Sequence, residues 1–332
     1  MADKLLDQIR EKLGHCSMKY APALFLQTGI PDLNRVLGHA EKGLCYGTII
    51  ELSGMESMGK TAIALSLAAL AQRDKAVVIW GDLEHSFDPG WARIRGLAKC
   101  PTCKDKVNEN CPGCGGKDSI RYRLDPDNLI VIQPYIGTFA ERNERGKMVS
   151  GKTPRLSTIQ ELAAEVEATV TAIHKKHDRM VVVMDSLAAM LTQIEASAGL
   201  EGANLVTAQS LPKFLGQMLR RWMGLTQSCN ALVILINQLR QNPMARFGSP
   251  WYCPGGNAPR FYSHVRVRAK RVTGSRIVEG NQLVGIQGLL ECRKNKIGGV
   301  EGSTCGYKLM LQGPLQFIPA KTKTKGESDE DE

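Results

Sequence analysis

The chain has no apolar run long enough to cross a bilayer as a helix. Its opening residues, Met1-Ala2-Asp3-Lys4-Leu5, lack the pattern of a secretory signal. The first absence argues against a helical membrane span and any membrane partner. The second sets the expectation of a cytoplasmic protein, in which the ten cysteines are free thiols or metal ligands rather than disulfides. Acidic residues are scarce except at the end, where Glu327-Ser328-Asp329-Glu330-Asp331-Glu332 hold five. The remaining body carries +15, the +10 of the whole chain freed of five negative charges. Such a body suggests a polyanionic partner, nucleic acid first. The 332 residues, 43% hydrophobic and 23% charged, otherwise read as globular and sized for one large α/β domain with attachments.

What is present centres on Gly54-Met55-Glu56-Ser57-Met58-Gly59-Lys60-Thr61, a complete G-x-x-x-x-G-K-[ST] phosphate-binding loop. A strand-like run, residues 47–52, precedes it, and a helix-forming run, residues 62–70, follows. Between a strand and a helix N-terminus, exposed backbone N–H groups and the positive end of the helix dipole meet an anion. Gly54 and Gly59 let the backbone wrap a phosphate, Lys60 reaches the β- and γ-phosphates, and the Thr61 hydroxyl is a Mg²⁺ ligand.

Around the loop, strand alternates with helix, which predicts a mainly parallel sheet flanked by helices. Buried-type strands are expected at 76–80, 129–132, 180–184 and 231–236, with helices over 158–177 and 205–227 and a cap at Ser157 or Thr158. Strands at 265–272, 288–292 and 307–311 are expected to extend the sheet in antiparallel fashion. A helix over 5–13 and an isolated strand at 23–26, without partners nearby in sequence, suggest an N-terminal segment (1–35) for docking on another subunit. The core is expected over 36–320 and a disordered acidic tail over 321–332.

Ligands of such sheets sit at the carboxyl ends of the strands. Asp185 ends an apolar strand and suits water-mediated Mg²⁺ binding. Glu84 could polarise the water that attacks a γ-phosphate, and the Gln238 amide could sense that phosphate and report it to the next loop. Together with the phosphate loop these point to nucleotide hydrolysis.

Six motifs in order, from Gly54 to Ile297, resemble those of the bacterial RecA-type strand-exchange recombinases. They are the phosphate loop, Asp82-Leu83-Glu84-His85-Ser86-Phe87-Asp88-Pro89, Met184-Asp185-Ser186-Leu187-Ala188-Ala189, Ile236-Asn237-Gln238-Leu239-Arg240, Gly255-Gly256-Asn257-Ala258-Pro259-Arg260-Phe261-Tyr262 and Lys294-Asn295-Lys296-Ile297. The resemblance implies a RecA-like ATPase core using ATP and Mg²⁺. It implies phosphate contacts from Gly54, Glu56, Ser57, Met58, Gly59, Lys60 and Thr61, a catalytic base at Glu84, and adenine contacts from Asp88 and Trp91. Lys294 and Lys296 match lysines that reach the γ-phosphate bound by the adjacent subunit. Gln238 matches the family's phosphate sensor.

For DNA the resemblance implies two loops. One spans about 193–210 and leads into a helix carrying Lys213, Arg220 and Arg221. The other spans 239–259, with Arg240, Arg246, Phe247, Gly255 and Gly256, and with Trp251 and Tyr252 as base-stacking candidates. The implied function is ATP-dependent filament formation on single-stranded DNA, followed by pairing and exchange with homologous duplex DNA. Alternatives are a ring-forming motor of the same fold or a non-catalytic, ATP-gated repair mediator.

The chain departs from the family at Cys100-Pro101-Thr102-Cys103 and Cys111-Pro112-Gly113-Cys114, within an insert at 98–118. Paired C-x-x-C turns are a zinc-ribbon signature, here a structural Zn²⁺ site because four thiolates leave no open position. A polar stretch, 141–158, reads as a second insertion and a flexible loop. The family's C-terminal domain, which gathers duplex DNA, is expected to be absent, a layout that would suit a virus-encoded recombinase.

Overall fold

The computed structural model describes residues 23–88, 128–133, 137–142, 148–155, 158–189, 191–198, 205–241, 250–311 and 315–318. Trp91, Arg246, Phe247, the cysteines of the expected zinc ribbon, the expected helix at 5–13 and the acidic tail lie outside them.

In chain order the elements are β1 (Phe25–Leu26), α1 (Pro31–Leu37), β2 (Leu44–Cys45), β3 (Ile49–Gly54), α2 (Lys60–Arg73), β4 (Val77–Asp82) and β5 (Leu129–Ile132). A hairpin, β6 (Gly137–Arg142) and β7 (Met148–Arg155), leads to α3 (Ile159–His174), β8 (Met180–Asp185), α4 (Gln193–Ala198), α5 (Leu205–Cys229) and β9 (Ala231–Gln238). The chain continues through β10 (Arg240–Gln241), β11 (Trp251–Tyr252), α6 (Ala258–Tyr262), β12 (Val265–Glu279), β13 (Gln282–Asn295), β14 (Thr304–Met310) and β15 (Leu315–Ile318).

Nine strands form one sheet in the order β15-β14-β13-β12-β3-β9-β8-β4-β5. From β12 to β5 every pairing is parallel, and from β12 to β15 every pairing is antiparallel. The strands β3, β4, β8 and β9 are buried almost throughout because helices cover both faces, and all but β3, which carries Glu51 and Ser53, read as continuous apolar runs. On one face Leu33, Ile63, Leu67, Trp80 and Ile234 share a core with α1, α2 and the β12–β15 extension. On the other, Leu162, Val166, Leu215, Leu219 and Trp222 of α3 and α5 pack on Ile79, Val182 and Val233. The helix α2 is buried from Ala62 to Ala71, since it runs between the sheet and the edge of the extension. A helix apolar on all sides is the sequence form that placement requires.

Several expectations need correction. The strand at 23–26 is not isolated: Phe25 and Leu26 pair antiparallel with Cys45 and Leu44. The polar stretch 141–158 is no plain loop, because β6 and β7 form an antiparallel hairpin. Local pairing satisfies backbone groups without an apolar face, so hydropathy gave no warning. The loop expected over 193–210 contains α4 and the first turns of α5. Of the added strands, β12 runs parallel to β3 rather than antiparallel, and it and β13 are far longer than their apolar cores suggested. The cap of α3 is Thr158, in a reciprocal capping box with Glu161.

One hydrogen bond ties the antiparallel extension to the phosphate loop. The Tyr307 hydroxyl of β14, in a fully buried side chain, donates to the Met58 carbonyl at 2.8 Å. A Cβ at Gly288 of β13 would collide with the Tyr307 ring and hydroxyl, so the glycine makes room for this contact. Tyr307→Phe should lower the unfolding free energy by ~1–2 kcal/mol, the cost of a lost buried bond and a stranded carbonyl. Gly288→Ala should cost ~1–3 kcal/mol by overpacking the same spot. Denaturant titrations would check both. An unchanged midpoint for Tyr307→Phe would show that the bond contributes nothing.

Candidate active site: a phosphate loop at converging strand ends

The backbone between β3 and α2 takes the shape its sequence requires. Ser57 and Gly59 both lie in the left-handed region, at φ 60° and 72°. Gly59 precedes the first residue of α2, and any Cβ there would approach Leu309 Cδ2 to 2.8 Å. The turn leaves the first N–H groups of α2 facing an open cleft of about 440 Å³. Glu56, Ser57, Gly59, Lys60, Thr61, Glu84, Asp185 and Gln238 are among the residues that line it.

Lys60 is buried, and its ammonium donates to the carbonyls of Gly54 (3.1 Å) and Met55 (2.7 Å). Burial lowers its pKa, against the attraction of Asp185, Glu84 and Glu56. The Thr61 hydroxyl donates to Asp185 Oδ2 at 2.7 Å. Desolvation pushes the Asp185 carboxyl up to about 7; the Thr61 bond opposes the rise, whereas Glu84 and Asp82 add to it. A deeply buried carboxyl and a hydroxyl in direct contact form a pair of hard oxygen donors, and among the described residues Lys60 is the cation that acts on Asp185. That donor set fits Mg²⁺, and the glycine cradle fits a triphosphate.

The parallel register aligns the strand ends. Asp82 of β4 stands opposite Asp185 of β8. Just beyond, Glu84 Oε1 accepts two hydrogen bonds, from Ser186 Oγ at 2.5 Å and from Gln238 Nε2 at 2.8 Å. The Asp185–Ser186 peptide bond is cis. Asp82, fully buried, accepts from the backbone N–H groups of Ser86 and Phe87 and from Gln133 Nε2, which braces the turn that presents Glu84. The sequence reading assigned no role to Ser186, Asp82 or Gln133. The available signal was that Asp82 and Asp185 each close a six-residue apolar strand.

Asp88 is exposed at the far end of the same turn. Lys294 and Lys296 are not among the residues lining this cleft. Lys294 instead donates to the carbonyls of Arg260 (2.7 Å) and Phe261 (3.1 Å) at the end of α6, and Lys296 is exposed. Of the candidate DNA contacts on α5, Lys213 and Arg220 are exposed. Arg221 is engaged within the chain by Glu167 of α3, through Nε at 3.3 Å and NH2 at 2.7 Å. Trp222 Nε1 donates to the same carboxylate. Arg240 is exposed on β10, paired in register with Tyr252 of β11. Gly255 and Gly256 have φ of 94° and 70°, and their backbone lies directly on Leu215 and Pro212 of α5. The two candidate DNA segments are thus adjacent.

Comparison with known proteins agrees with this geometry. The family model of the RecA N-terminal domain matches residues 5–99 and 160–301, leaving 100–159 between the matched segments. Protein RecA of Clostridium botulinum (strain Eklund 17B / Type B) is 31% identical over 286 residues, 86% of this chain and 63% of the relative. Protein RecA of Clostridium tetani is 30% identical over 272 residues, 82% of this chain and 61% of the relative. Protein RecA of Symbiobacterium thermophilum is 30% identical over 302 residues, 89% and 69%. The match therefore spans less than two thirds of the Clostridium proteins. With the phosphate loop, the strand-end carboxylates and the Asn237-Gln238 turn falling inside the matched segments, the chain belongs to the RecA family.

Proposed function

We propose that this protein is a DNA-dependent ATPase that assembles as a helical filament on single-stranded DNA in the cytoplasm and promotes pairing and exchange with homologous duplex DNA. The observation that carries the reading is the meeting of Glu84, Ser186 and Gln238 at the mouth of the phosphate cleft, next to Thr61 and Asp185. In this scheme the α2 N-terminus and Lys60 hold the β- and γ-phosphates. Thr61 and Asp185 would hold Mg²⁺, which would neutralise the charge that develops on the triphosphate. Ser186 orients Glu84, and Glu84 takes a proton from the attacking water.

The Gln238 amide has two acceptors to choose between. One is Glu84, which it bonds in this structure; the other is a γ-phosphate, a more highly charged acceptor. Transfer of that one hydrogen bond would free Glu84 to act and would pull on the start of the segment 239–259. Exposed Lys213, Arg220 and Arg240, with Arg246, would then neutralise DNA phosphates, while the glycines at 255 and 256 allow close backbone approach. Lys294 and Lys296, which do not line the cleft of their own chain, would complete the site of the next subunit. Asp88 and Trp91 would hold the adenine. The four cysteines of 100–114 would hold a structural zinc ion.

Glu84→Gln should bind ATP with near-normal affinity but turn it over ~10²–10⁴-fold more slowly; phosphate release with and without single-stranded DNA measures this. Turnover indifferent to DNA in the unaltered protein would sink the reading. Lys294→Ala should also be inactive, yet equimolar mixing with Glu84→Gln should restore turnover, because mixed interfaces pair an intact Glu84 with an intact Lys294. No recovery on mixing would place the lysine's action within its own subunit. Elemental analysis should find about one zinc per chain, and Cys103→Ser should lose it.

A further inference from the structure

Glu51 lies in the middle of β3, fully buried, three residues before the phosphate loop. A carboxylate there must be paired to exist. Arg266 Nε of β12 donates to its Oε2 at 2.5 Å, and Asn237 Nδ2 of β9 donates to its Oε1 at 3.1 Å. Its strand lies between the strands of both partners, so the three side chains cross the sheet in a row. A core does not need such a pair for stability, since apolar replacements of equal volume are often neutral or better. What the pair does is fix a direction. Asn237, itself fully buried, uses the same amide nitrogen to donate to the Pro254 carbonyl at 3.1 Å. Its Oδ1 accepts the backbone N–H of Gln238 at 3.0 Å.

Adjacent residues of one strand thereby hold the two flanks of this region, Gln238 before Leu239 and Pro254 after Cys253. Gln238 reaches forward to Glu84 in the cleft. Asn237 reaches across to Pro254, and Gly255 and Gly256 follow immediately, seated on α5. The third member also touches the subunit-bridging candidate, because Arg266 stands opposite Lys294 in the β12–β13 ladder.

We propose that Glu51 and Asn237 are positioning residues that couple the phosphate cleft to the polynucleotide-binding segment: Glu51 orients the Asn237 amide, and Asn237 anchors the far end of the segment at Pro254 while Gln238 moves the near end. This rests on the function proposed above. A segment pinned at one end transmits displacement only if its other end stays fixed, and the buried ion pair supplies that fixed point.

Asn237→Ala, Asn237→Leu (similar size, no donor toward Pro254) and Glu51→Gln test it in the full chain. Circular dichroism at the assay temperature establishes folding. Turnover is measured without DNA and across a titration of single-stranded oligonucleotide. The expected result is unchanged DNA-free turnover and unchanged KM for ATP, with about tenfold more oligonucleotide needed for half-maximal stimulation, a loss within the usual range of coupling between sites. Folded variants stimulated as the parent is, or slowed equally with and without DNA, would overturn the proposal. If only Glu51→Gln unfolds, the two Asn237 variants decide. If Asn237→Ala unfolds too, the group belongs to the core and the proposal falls. An unaltered protein that ignores DNA defeats the proposed function instead, a result distinct from all of these.

Discussion

Three carboxyl groups, Asp82, Glu84 and Asp185, converge beside one buried lysine at the ends of two neighbouring parallel strands, and the rest of the site follows from that crowding. Burial pushes the Asp185 carboxyl up to about 7, and the neighbouring Glu84 and Asp82 charges add to the rise. Each acid is separately braced. Asp82 has two backbone N–H groups and an amide, Asp185 the Thr61 hydroxyl, and Glu84 a hydroxyl and an amide. These neutral donors orient the acids without cancelling their charge. An excess of negative charge thus stays available for a divalent cation, while the helix N-terminus a few ångströms away stays available for an anion. A metal-bound triphosphate satisfies both at once, which neither ion does alone.

The parallel sheet makes this crowding possible. Strand β8 lies between β4 and β9, so residues far apart in sequence end close together: Asp82 and Asp185 at one level, with Gln238 two residues further along β9. The antiparallel extension contributes from the other side of β3. Leu309 fills the space under Gly59, and the Tyr307 hydroxyl fixes the Met58 carbonyl, so the strands beyond β12 press the phosphate loop into shape rather than merely widening the sheet.

How much of this was legible in the sequence depended on distance along the chain. The phosphate loop was, because strand, turn and helix are contiguous and each residue type has a local reason. The apolar runs that became β4, β8 and β9 were, because strands buried on both faces read as continuous hydrophobic stretches. The partnership of Glu84 with Ser186 and Gln238 was not: it depends on strand order, which no local pattern encodes. Arg221 shows the same limit in reverse. Its motif position suggests a DNA contact and gives no hint of Glu167, on a different helix, with which the exposed guanidinium pairs. Polar strands such as β6 and β7 escaped because hydropathy registers burial rather than pairing. Glu51 escaped because a lone acid in an apolar strand looks like an interruption until its two neighbours across the sheet are known.

The two adjacent amides of β9 divide the labour in a way the strand geometry enforces. Alternate residues of a strand point to opposite faces, so Asn237 and Gln238 cannot serve the same partner. Asn237 is fully buried and bonded on both side-chain atoms, to Glu51, Pro254 and the next peptide N–H. Gln238 is only partly buried and bonds one carboxylate at the edge of an open cleft. An amide held on all sides has no alternative arrangement of similar energy; one held by a single hydrogen bond at the edge of the cleft does. In the proposed coupling, stiffness and switchability therefore occupy consecutive positions of one chain: Gln238 would pass a change in the cleft to Leu239, while Asn237 holds the peptide unit behind it in place.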